Sequence, residues 1–530
     1  WDRVMKSDRS VYWQGEAEVH GNITLEGRGS QPAGSPLDGS SVYLHAASTL
    51  SSAMAGTSIS ISGRDDVEIH GTVIAGGVRG SSGIEWLGPD SQVTIQAGQQ
   101  IVVNNAVAAA KSVRLLTTGG PAADDDGIAV RLDTAAGLTA AGWTSDDSGG
   151  LVEVRAVGHA VFGGMVLSGG QAVQQFNAAG RLTGETITWS GEASTIRLTA
   201  TGQLNLGLET STASGSIEVG ARLRASSLIE LSGGANADHV GVRLPGSAVV
   251  AVKDADGVLV INSAQDAWLM GQLLSGGEVI DSYDAAGYYL GSTMRHSGGD
   301  SVIRISADEQ IRIGRDLLAG KTIDVRGGRS SHQATADDPW GDEGLVLGGN
   351  VQFRTWQENS SITLSAAGDM SVLTPTWTQE IVADGFAEYA DGHLSAPASL
   401  RITVENGSND LQADIVLGSS RSGGPQGLAS LVQDLQAAID ATALAGKITV
   451  RLDDGRLMLT SNHELRIAAA SGGAERLGFT QIAAANPTAG STVSARSYAI
   501  DASERGSVVN LGKANAPAGI ITIAGAIRAY

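Results

Sequence analysis

Acidic side chains gather at two places in the chain, where they offer the hard oxygen ligands that calcium takes. Asp124, Asp125 and Asp126 form one run, and Asp337 with Asp338 forms the other. Proteins hold calcium with about six to eight oxygen atoms, and carboxylates on glycine-rich loops can supply them. The chain has neither the spacing of an EF-hand loop nor the nonapeptide calcium repeat. The two runs are therefore candidate calcium sites on loops, and the alternative is solvated loop charge. Calcium is the one cofactor considered.

Two tryptophans near these runs are candidates for surface contacts. Trp143 follows the first run, and Trp340 comes just after the second. An indole ring combines a large apolar surface with one hydrogen-bond donor, so it stacks on glycans and anchors protein partners. The alternative is that both rings fold over the flank of the protein and serve packing alone.

Carboxylates on strands raise the alternative of a carbohydrate-cleaving enzyme. Glycoside hydrolysis needs two carboxylates set across the substrate, and Glu68, Asp324 and Glu218 are candidates at outward-facing strand positions. However, no cluster of acidic or basic residues recurs at a fixed spacing, and the nine histidines form no zinc-like pattern. We therefore expect that the protein is not an enzyme, with a polysaccharide lyase or hydrolase as the alternative.

Composition excludes several classes of protein. The 530 residues include 56 acidic and 35 basic side chains, and the net charge of −21 repels phosphate backbones, so we expect no nucleic-acid partner. There is no cysteine, which excludes disulfides and cysteine-based zinc sites. Apolar runs are too short for a transmembrane segment. Aromatic residues are only 4% while glycine numbers 72, a mixture that suits thin, repetitive β-structure.

A five-position apolar pattern recurs along the chain. It consists of two alternating apolar pairs and a fifth apolar residue, as at Ile59, Ile61, Val67, Ile69 and Val73. Strict copies begin at Val93 and Ile303, and looser copies begin at Val152, Ile196, Leu259 and Ile362. Strict matches by chance should number fewer than one, so the repetition indicates a structural repeat.

The repeat predicts short strands separated by tight corners, three to a coil. Such a coil buries its apolar face only by stacking on the next coil, about 4.8 Å away. The predicted fold class is mainly β: a parallel β-solenoid, or β-helix, with loop insertions and one small α+β inserted domain. Uneven spacing of the copies predicts corner insertions at 121–144, 283–299 and 329–350. Glycine pairs often follow the copies, at 76–77, 169–170 and 276–277.

The pattern breaks near residue 400. Two strands around Asn406 and Gly407 precede a helical spacing of apolar residues from Leu428 to Leu444, which Gly446 is placed to end. A hairpin with an Asp/Gly turn follows, KITVRLDDGRLMLTS. We predict three parts: a solenoid with corner insertions over 1–399, an inserted α+β module over 400–482, and a return to solenoid strands over 483–530.

Two resemblances now emerge. The strand repeat, with lines such as SQVTIQAGQQIVVNNAVAAAKSVRLLTTGG, resembles the β-solenoid shafts of large secreted bacterial adhesins of the filamentous-haemagglutinin kind. The segments LASLVQDLQAAIDATA and ITVRLDDGRLMLTSN resemble the small flagellin-type inserted domain of flagellins, hook-associated proteins and giant surface adhesins. The chain departs from flagellin because it lacks long coiled-coil ends.

The resemblances imply an exported structural or adhesive protein. We expect a secreted, extracellular or cell-surface location, and a rigid rod or filament segment that mediates attachment or polymerisation. Expected partners are copies of itself joined end to end, or the rest of a longer chain, and a cell-surface glycan. A calcium-dependent glycan-binding module is a further alternative, which predicts an acid-lined pocket beside an exposed tryptophan.

Overall fold

The computed structural model describes most of the chain. The described residues are 2–29, 40–80, 83–121, 127–176, 182–212, 215–283, 289–329, 343–348, 351–372, 379–383, 394–404, 410–419, 428–453, 456–461, 465–469, 473–479, 500–502, 507–512, 521–523 and 527–529.

Three parallel sheets of 13 strands each form the body of the protein. The chain winds through the sheets in turn, so each of 13 coils gives its first strand to sheet 1, its second to sheet 2 and its third to sheet 3. In each sheet, every strand of coils 2 to 12 pairs with the corresponding strands of the coils before and after it. The predicted parallel β-solenoid is therefore confirmed.

Coils 1 to 4 comprise β1 (Arg3–Ser7), β2 (Val11–Trp13) and β3 (Glu16–Val19); β4 (Ile23–Gly27), β5 (Ser40–Leu44) and β6 (Thr49–Ser52); β7 (Ser58–Gly63), β8 (Asp66–Ile69) and β9 (Thr72–Ala75), followed by a hairpin of β10 (Gly77–Gly80) and β11 (Gly83–Trp86); and β12 (Gln92–Ala97), β13 (Ile101–Val103) and β14 (Ala106–Ala109).

Coils 5 to 8 comprise β15 (Ser112–Thr117), β16 (Ile128–Leu132) and β17 (Gly137–Ala140); β18 (Leu151–Ala156), β19 (His159–Phe162) and β20 (Met165–Ser168), followed by a hairpin of β21 (Gly170–Phe176) and β22 (Leu182–Trp189); β23 (Thr195–Ala200), β24 (Leu204–Asn205), a hairpin of β25 (Gly207–Thr212) and β26 (Gly215–Gly220), and β27 (Arg222–Ala225); and β28 (Leu228–Gly233), β29 (Val240–Leu244) and β30 (Val249–Val252).

Coils 9 to 11 comprise β31 (Val258–Ser263), β32 (Asp266–Leu269) and β33 (Gln272–Ser275), followed by a hairpin of β34 (Gly277–Tyr283) and β35 (Tyr289–His296); β36 (Val302–Ala307), β37 (Ile311–Ile313) and β38 (Leu317–Ala319); and β39 (Thr322–Gly327), β40 (Glu343–Leu347) and β41 (Phe353–Thr355).

Coil 12 comprises β42 (Ser361–Ala366), β43 (Asp369–Val372) and β50 (Ile500–Ala502), and the inserted module lies between the last two. The module comprises β44 (Gln379–Val382), β45 (Ala398–Val404), β46 (Leu411–Leu417), α1 (Leu428–Asp440), β47 (Ile448–Asp453), β48 (Arg456–Ser461), β49 (Leu465–Ala469) and a 3-10 helix (Ala474–Leu477). Coil 13 comprises β51 (Val508–Leu511), β52 (Ile521–Ile523) and β53 (Ile527–Ala529).

The core consists of aliphatic side chains stacked in columns along the axis. Ile59 pairs with Val93 and Val93 with Val113, and all three are fully buried. Burial of one such side chain contributes roughly 1.5–3 kcal/mol, and each coil repeats the contribution. The sequence pattern identified this column, because all seven copies begin at positions in it.

Polar ladders close the corner between sheets 1 and 2. The backbone N–H of Gln100 donates to Asp66 Oδ1 at 3.0 Å, and Gln100 Nε2 donates to the Ile128 carbonyl of the next coil at 2.8 Å. Gln310 repeats the arrangement six coils further on, with its N–H on Asp266 Oδ1 at 2.8 Å. These side chains satisfy backbone groups that the strand ladders leave unpaired at a corner.

Two of the three segments predicted as corner insertions hold solenoid strands. Residues 121–144 contain β16 and β17, and 329–350 contains β40, so these two predictions were wrong in treating the segments as loops alone. Residues 283–299 contain β35, the second strand of a hairpin. The error arose because long stretches of sequence separate the first and second strands of these two coils, which interrupts the spacing of the pattern.

The α+β module has its own apolar core, separate from that of the solenoid. The predicted helix is present as α1, with Leu431, Leu435 and Ile439 buried, and it ends at Asp440, ahead of Gly446. Strand β44, which pairs with β48, begins at Gln379, so the packed unit starts ahead of residue 400. Solenoid strands resume at β50, which pairs with β41. In the part of the chain described, no helix is long and apolar enough to cross a membrane.

Candidate functional site

Three hairpins leave the solenoid at equivalent corners, at the glycine pairs noted in the sequence. We call β10–β11 hairpin 1, β21–β22 hairpin 2 and β34–β35 hairpin 3. Each follows a sheet 3 strand, after coils 3, 6 and 9. The first glycine of each pair, Gly76, Gly169 or Gly276, has a φ of 81°, 91° or 83°. This left-handed conformation, which other residues rarely adopt, turns the chain out of the coil.

The second glycine of each pair lies opposite an aromatic residue across the hairpin. Gly77 pairs with Trp86, and Gly170 pairs with Trp189. In hairpin 3 the corresponding partner of the glycine is His296. A Cβ built on either of the first two glycines would lie 3.2 or 3.3 Å from the indole ring, so the rings cover bare backbone. The three hairpins therefore share the same local structure, a glycine paired with an aromatic residue at the base of the hairpin.

The hairpins are joined to one another in a row along the solenoid. Trp86 Nε1 of hairpin 1 donates to Gln171 Oε1 of hairpin 2 at 3.0 Å, and Gln171 Nε2 donates back to the Ile84 carbonyl at 2.9 Å. Trp189 Nε1 donates in the same way to Glu278 Oε1 of hairpin 3. Each bond is made to the residue just after the glycine pair of the next hairpin. Hairpins 2 and 3 also join as one four-stranded sheet.

Hairpin 3 packs on the outer face of sheet 3 through a small apolar cluster. Val279 packs with Ala251, Leu274 and Leu318, and all four are buried. His296 stacks on Trp356 at 4.1 Å between ring centroids. Burial and the nearby Arg354 lower the pKa of the His296 imidazole. The outer face of sheet 3 is therefore covered from this side by a second layer.

A trough of about 840 Å³ crosses the outer face of sheet 3 beside hairpins 1 and 2. Its floor is built from coils 3 to 7, and the middle of the floor is lined by the small residues Ala106, Ala108 and Gly137. Hairpins 1 and 2 form one wall at the corner with sheet 1. Val219 and Gly220, at the end of hairpin β25–β26, line the opposite side.

Arginines lie at both ends of the trough. Arg79 of hairpin 1 is exposed, and its Nη1 donates to Thr72 Oγ1 at 3.4 Å. At the other end, Glu185 of hairpin 2 lies 3.5 Å from Arg224 Nη1 and 4.0 Å from Arg222 Nη1. The side chains of Glu185 and Arg224 are 4% and 6% exposed, whereas that of Arg222 is 35% exposed. One buried carboxylate is thus shared between two guanidinium groups.

A second concavity of about 620 Å³ lies beside Trp189. Glu192, Asp254 and Asp256 line it together with Lys253, whose ammonium lies 5.3 Å from the Trp189 ring centroid. Burial raises the pKa of the Asp254 carboxyl, with further contributions from Asp256 and Glu192, and Lys253 opposes the shift. Among the described residues, no group of three or more His, Asp or Glu side chains is placed to hold a metal ion.

The residues predicted to form sites lie apart from the trough or outside the described chain. Asp124, Asp125, Asp126, Asp337, Asp338 and Trp340 all lie outside the described residues. Trp143 lies at a corner after β17 and is 38% exposed, and its backbone bonds to Ala110 and Asp90. It does not line the trough.

The three residues considered for catalysis lie on different elements. Glu68 is on β8 of sheet 2, Asp324 is on β39 of sheet 1, and Glu218 is on β26 of the hairpin in coil 7. Glu68 accepts hydrogen bonds from Ser40 and contacts His70 Nε2 at 2.9 Å, while Asp324 pairs with Arg326. Glu68 and Asp324 therefore form no acid and base pair with each other.

The trough could not be recognised in the sequence because no single motif encodes it. Its charged residues come from two hairpins and a strand that are far apart in sequence, and its floor is made of alanine and glycine. The glycine pairs, which begin hairpins 1, 2 and 3, were the feature of the sequence that could have indicated this face. No family model, curated protein or solved structure matches the chain.

Proposed function

We propose that the chain is a rigid structural and adhesive segment of an extracellular bacterial surface protein. The observation that carries the proposal is the continuity of all three sheets through 13 coils. In such a stack the backbone hydrogen bonds run along the axis, so a load applied along the rod is shared by three ladders. This arrangement suits a scaffold that holds a surface at a distance.

The resemblances support an exported protein. The strand repeat resembles adhesin shafts, and the α+β module, with its separate core, resembles the flagellin-type domain inserted in surface filaments. An acidic, cysteine-free chain is also compatible with life outside the cell, where disulfides are optional rather than required. Exposed strand edges at the ends of such a stack pair readily with further strands, which favours end-to-end assembly or continuation in a longer chain.

The role proposed is not catalytic. Glu185 is the carboxylate among the described side chains that line the trough, and it is buried between two arginines. Hydrolysis of a glycosidic bond would require a second carboxylate across the substrate. The trough is therefore better suited to holding a ligand than to cleaving one.

Immunogold labelling of the cells that make the protein tests the location and the role together. We expect gold particles outside the envelope, and a mutant with an in-frame deletion of the solenoid should attach less to its natural surface under flow. A matched strain carrying the deletion of the α+β module alone separates the contribution of the rod from that of the insert. Label confined to the cell interior would contradict the proposal.

A further inference from the structure

We propose that the outer face of sheet 1 binds the same face of a second copy of the chain, with the two solenoids side by side and antiparallel. This inference concerns the flank of the rod, whereas the assembly proposed above concerns its ends. Attachment to a surface does not require the flank contact, so the two proposals can fail independently.

Four side chains of alternating charge follow one another along an outward column of sheet 1. Strand pairing places Arg114, Glu153, Arg197 and Glu230 in coils 5, 6, 7 and 8. Arg114 Nε lies 3.3 Å from Glu153 Oε2, and Arg197 Nε lies 3.3 Å from Glu230 Oε2. We call these four residues the charge ladder. Because its sign changes at every coil, the ladder is complementary to a reversed copy of itself.

The charge ladder is accessible from outside. Hairpin 3 packs on sheet 3 and hairpins 1 and 2 line the trough there, so these three hairpins lie away from the face of sheet 1. The side chains of Arg114, Arg197 and Glu230 are 42%, 51% and 41% exposed. Ion pairs between exposed side chains hold them only weakly, because water screens the attraction. A facing copy would exclude part of this water and give each charge a new partner of opposite sign.

One register makes every facing pair in the ladder opposite in charge. When the twofold axis lies between coils 6 and 7, Arg114 faces Glu230 of the second copy and Glu153 faces Arg197, each twice by symmetry. Sliding one copy by a single coil would place Arg114 opposite Arg197, or Glu153 opposite Glu230. Like charges facing each other are unfavourable, so the ladder specifies this register against its neighbours.

The second outward column of sheet 1 agrees with the same register. Glu26 lies in coil 2 and Arg326 in coil 11, and the axis between coils 6 and 7 places each opposite the other. In the first column, Arg304 of coil 10 faces Ser60 of coil 3. Within the described residues of these two columns, no two like charges face each other.

A parallel pair of rods is a weaker candidate. If both copies pointed the same way, the first outward column of one would face the second outward column of the other at the same coil. Glu153 would then face Arg155, and Asp324 would face Arg326. Each chain already forms these ion pairs internally. Parallel pairing would exchange existing contacts for equivalent ones, whereas antiparallel pairing adds new ones.

The facing area suits a stable dimer. Coils 2 to 11, which face one another in this register, span nine coil spacings, or roughly 43 Å. Strands β7, β12 and β15 have six residues each, a length of about 20 Å. The shared face therefore measures roughly 800–900 Å² per copy, compared with about 800 Å² per partner in stable complexes.

Analytical ultracentrifugation of the full chain tests the pairing. We expect a dimer at low salt that dissociates as salt is added, because the contacts join charges near the surface. Arg114→Glu and Glu230→Lys should each weaken dimerisation at least roughly tenfold, since each variant places like charges opposite each other twice. Circular dichroism of each variant confirms that the fold is kept.

A mixture of these two variants separates contacts between copies from contacts within one chain. In a mixed dimer, the new glutamate of one copy faces the new lysine of the other, and the native Arg114 and Glu230 face each other. Dimerisation of the equimolar mixture should therefore return to within about threefold of the parent. Arg79→Glu reverses an exposed arginine on hairpin 1, and as the matched control it should leave dimerisation unchanged.

Cross-linking tests the register without a change of charge. The chain has no native cysteine. Because Thr94 in coil 4 faces Val260 in coil 9, a short bismaleimide should join Thr94→Cys to Val260→Cys in a mixture of the two variants. Thr94→Cys alone should not cross-link, since its two copies would lie five coil spacings apart, or roughly 24 Å.

The outcomes separate this inference from the proposed function. A monomer at every salt concentration, a mixture no more associated than its separate variants, or cross-linking of Thr94→Cys only to itself would overturn the flank contact. Self-association that the sheet 1 variants leave unchanged would assign the contact to the ends of the stack and would also overturn it. Surface labelling and attachment could still support the rod in each of these cases.

Discussion

The indole Nε1 of Trp86 donates a hydrogen bond to Gln171 Oε1 at 3.0 Å, although 85 residues separate the two. The bond ties hairpin 1, which follows coil 3, to hairpin 2, which follows coil 6. Trp189 and Glu278 repeat the contact between hairpins 2 and 3. Because hairpins 1 and 2 together form one wall of the trough, this contact also sets the position of that wall.

Replacement of Trp86 by phenylalanine tests the contact. Trp86→Phe keeps an aromatic ring over Gly77 but removes the donor, so we expect a local loss of about 1 kcal/mol. Hydrogen exchange of the β10–β11 amides should accelerate about fivefold. Trp268→Phe is the matched control, since Trp268 Nε1 is buried without a hydrogen-bond partner among the described atoms and its removal leaves no acceptor unsatisfied. Equal effects of the two changes would refute a specific role for the Trp86 donor.

The glycine pairs should tolerate no side chain. Gly169→Ala forces a left-handed φ on alanine, which costs roughly 1–2 kcal/mol, and its Cβ would lie 2.6 Å from Ser194 Oγ. Gly137→Ala, within a strand and with space around it, should instead stabilise by about 0.5–1 kcal/mol. Urea denaturation of both variants measures the difference. A neutral Gly169→Ala change would mean that the hairpin does not need the turn.

Whole coils should be removable at equivalent positions. Residues 41–80 and 241–280 share the same sequence of strands, turns and corners, 200 residues apart. Deletion of residues 61–260 therefore joins β7 to β31 in phase and removes six coils, and we expect a folded, shorter solenoid. Deletion of residues 101–300 has the same length, but it joins the corner just before β13 of sheet 2 to the residue just before β36 of sheet 1. The two remaining coils are therefore joined out of phase. Circular dichroism should show β-structure for the first variant and a loss of it for the second.

Two aspartates should respond to pH with opposite signs. The pKa of Asp254 is raised, chiefly by burial, so the unfolded chain ionises first and stability falls as pH rises through the carboxyl range. Asp254→Asn should therefore stabilise the protein at pH 7. The pKa of Asp90 is lowered, first by hydrogen bonding from Ser145 and also by Lys111, so its contribution is present at pH 7 and lost on acidification.

Asp90→Asn should accordingly destabilise the protein at pH 7, and the difference between this variant and the parent should vanish at low pH. Thermal denaturation between pH 3 and 7 measures both effects. Shifts of the same sign for the two variants at pH 7 would show that local charge does not control these corners.

The stacked core could be predicted from sequence because its columns repeat. Ile59, Val93 and Ile303 each begin a strict copy of the pattern, and all lie in the same buried column of sheet 1. Coils beginning at Val113 and Ile323 were not recognised, because long segments separate their first and second strands and break the five-residue spacing. Periodicity therefore identified the fold but undercounted the coils.

The hairpin layer and the trough could not be predicted in the same way. The glycine pairs were visible, but their left-handed conformation becomes evident only when the corner is built. Arg79 and Arg222 approach one trough because coils 3 to 7 stack, and no local pattern relates two residues so far apart. The aspartate runs and Trp340 lie outside the described residues, so the calcium hypothesis stays a prediction.

Distances between spin labels along one column test the central claim, a rigid stack with a constant coil spacing. Thr24, Thr94 and Thr363 occupy the same outward column of sheet 1 in coils 2, 4 and 12, and the chain has no native cysteine to interfere with labelling. At about 4.8 Å per coil, labels at Thr24 and Thr363 should be separated by about 48 Å and labels at Thr94 and Thr363 by about 38 Å, both with narrow distributions. Separations that do not scale with the number of coils, or broad distributions, would contradict the account.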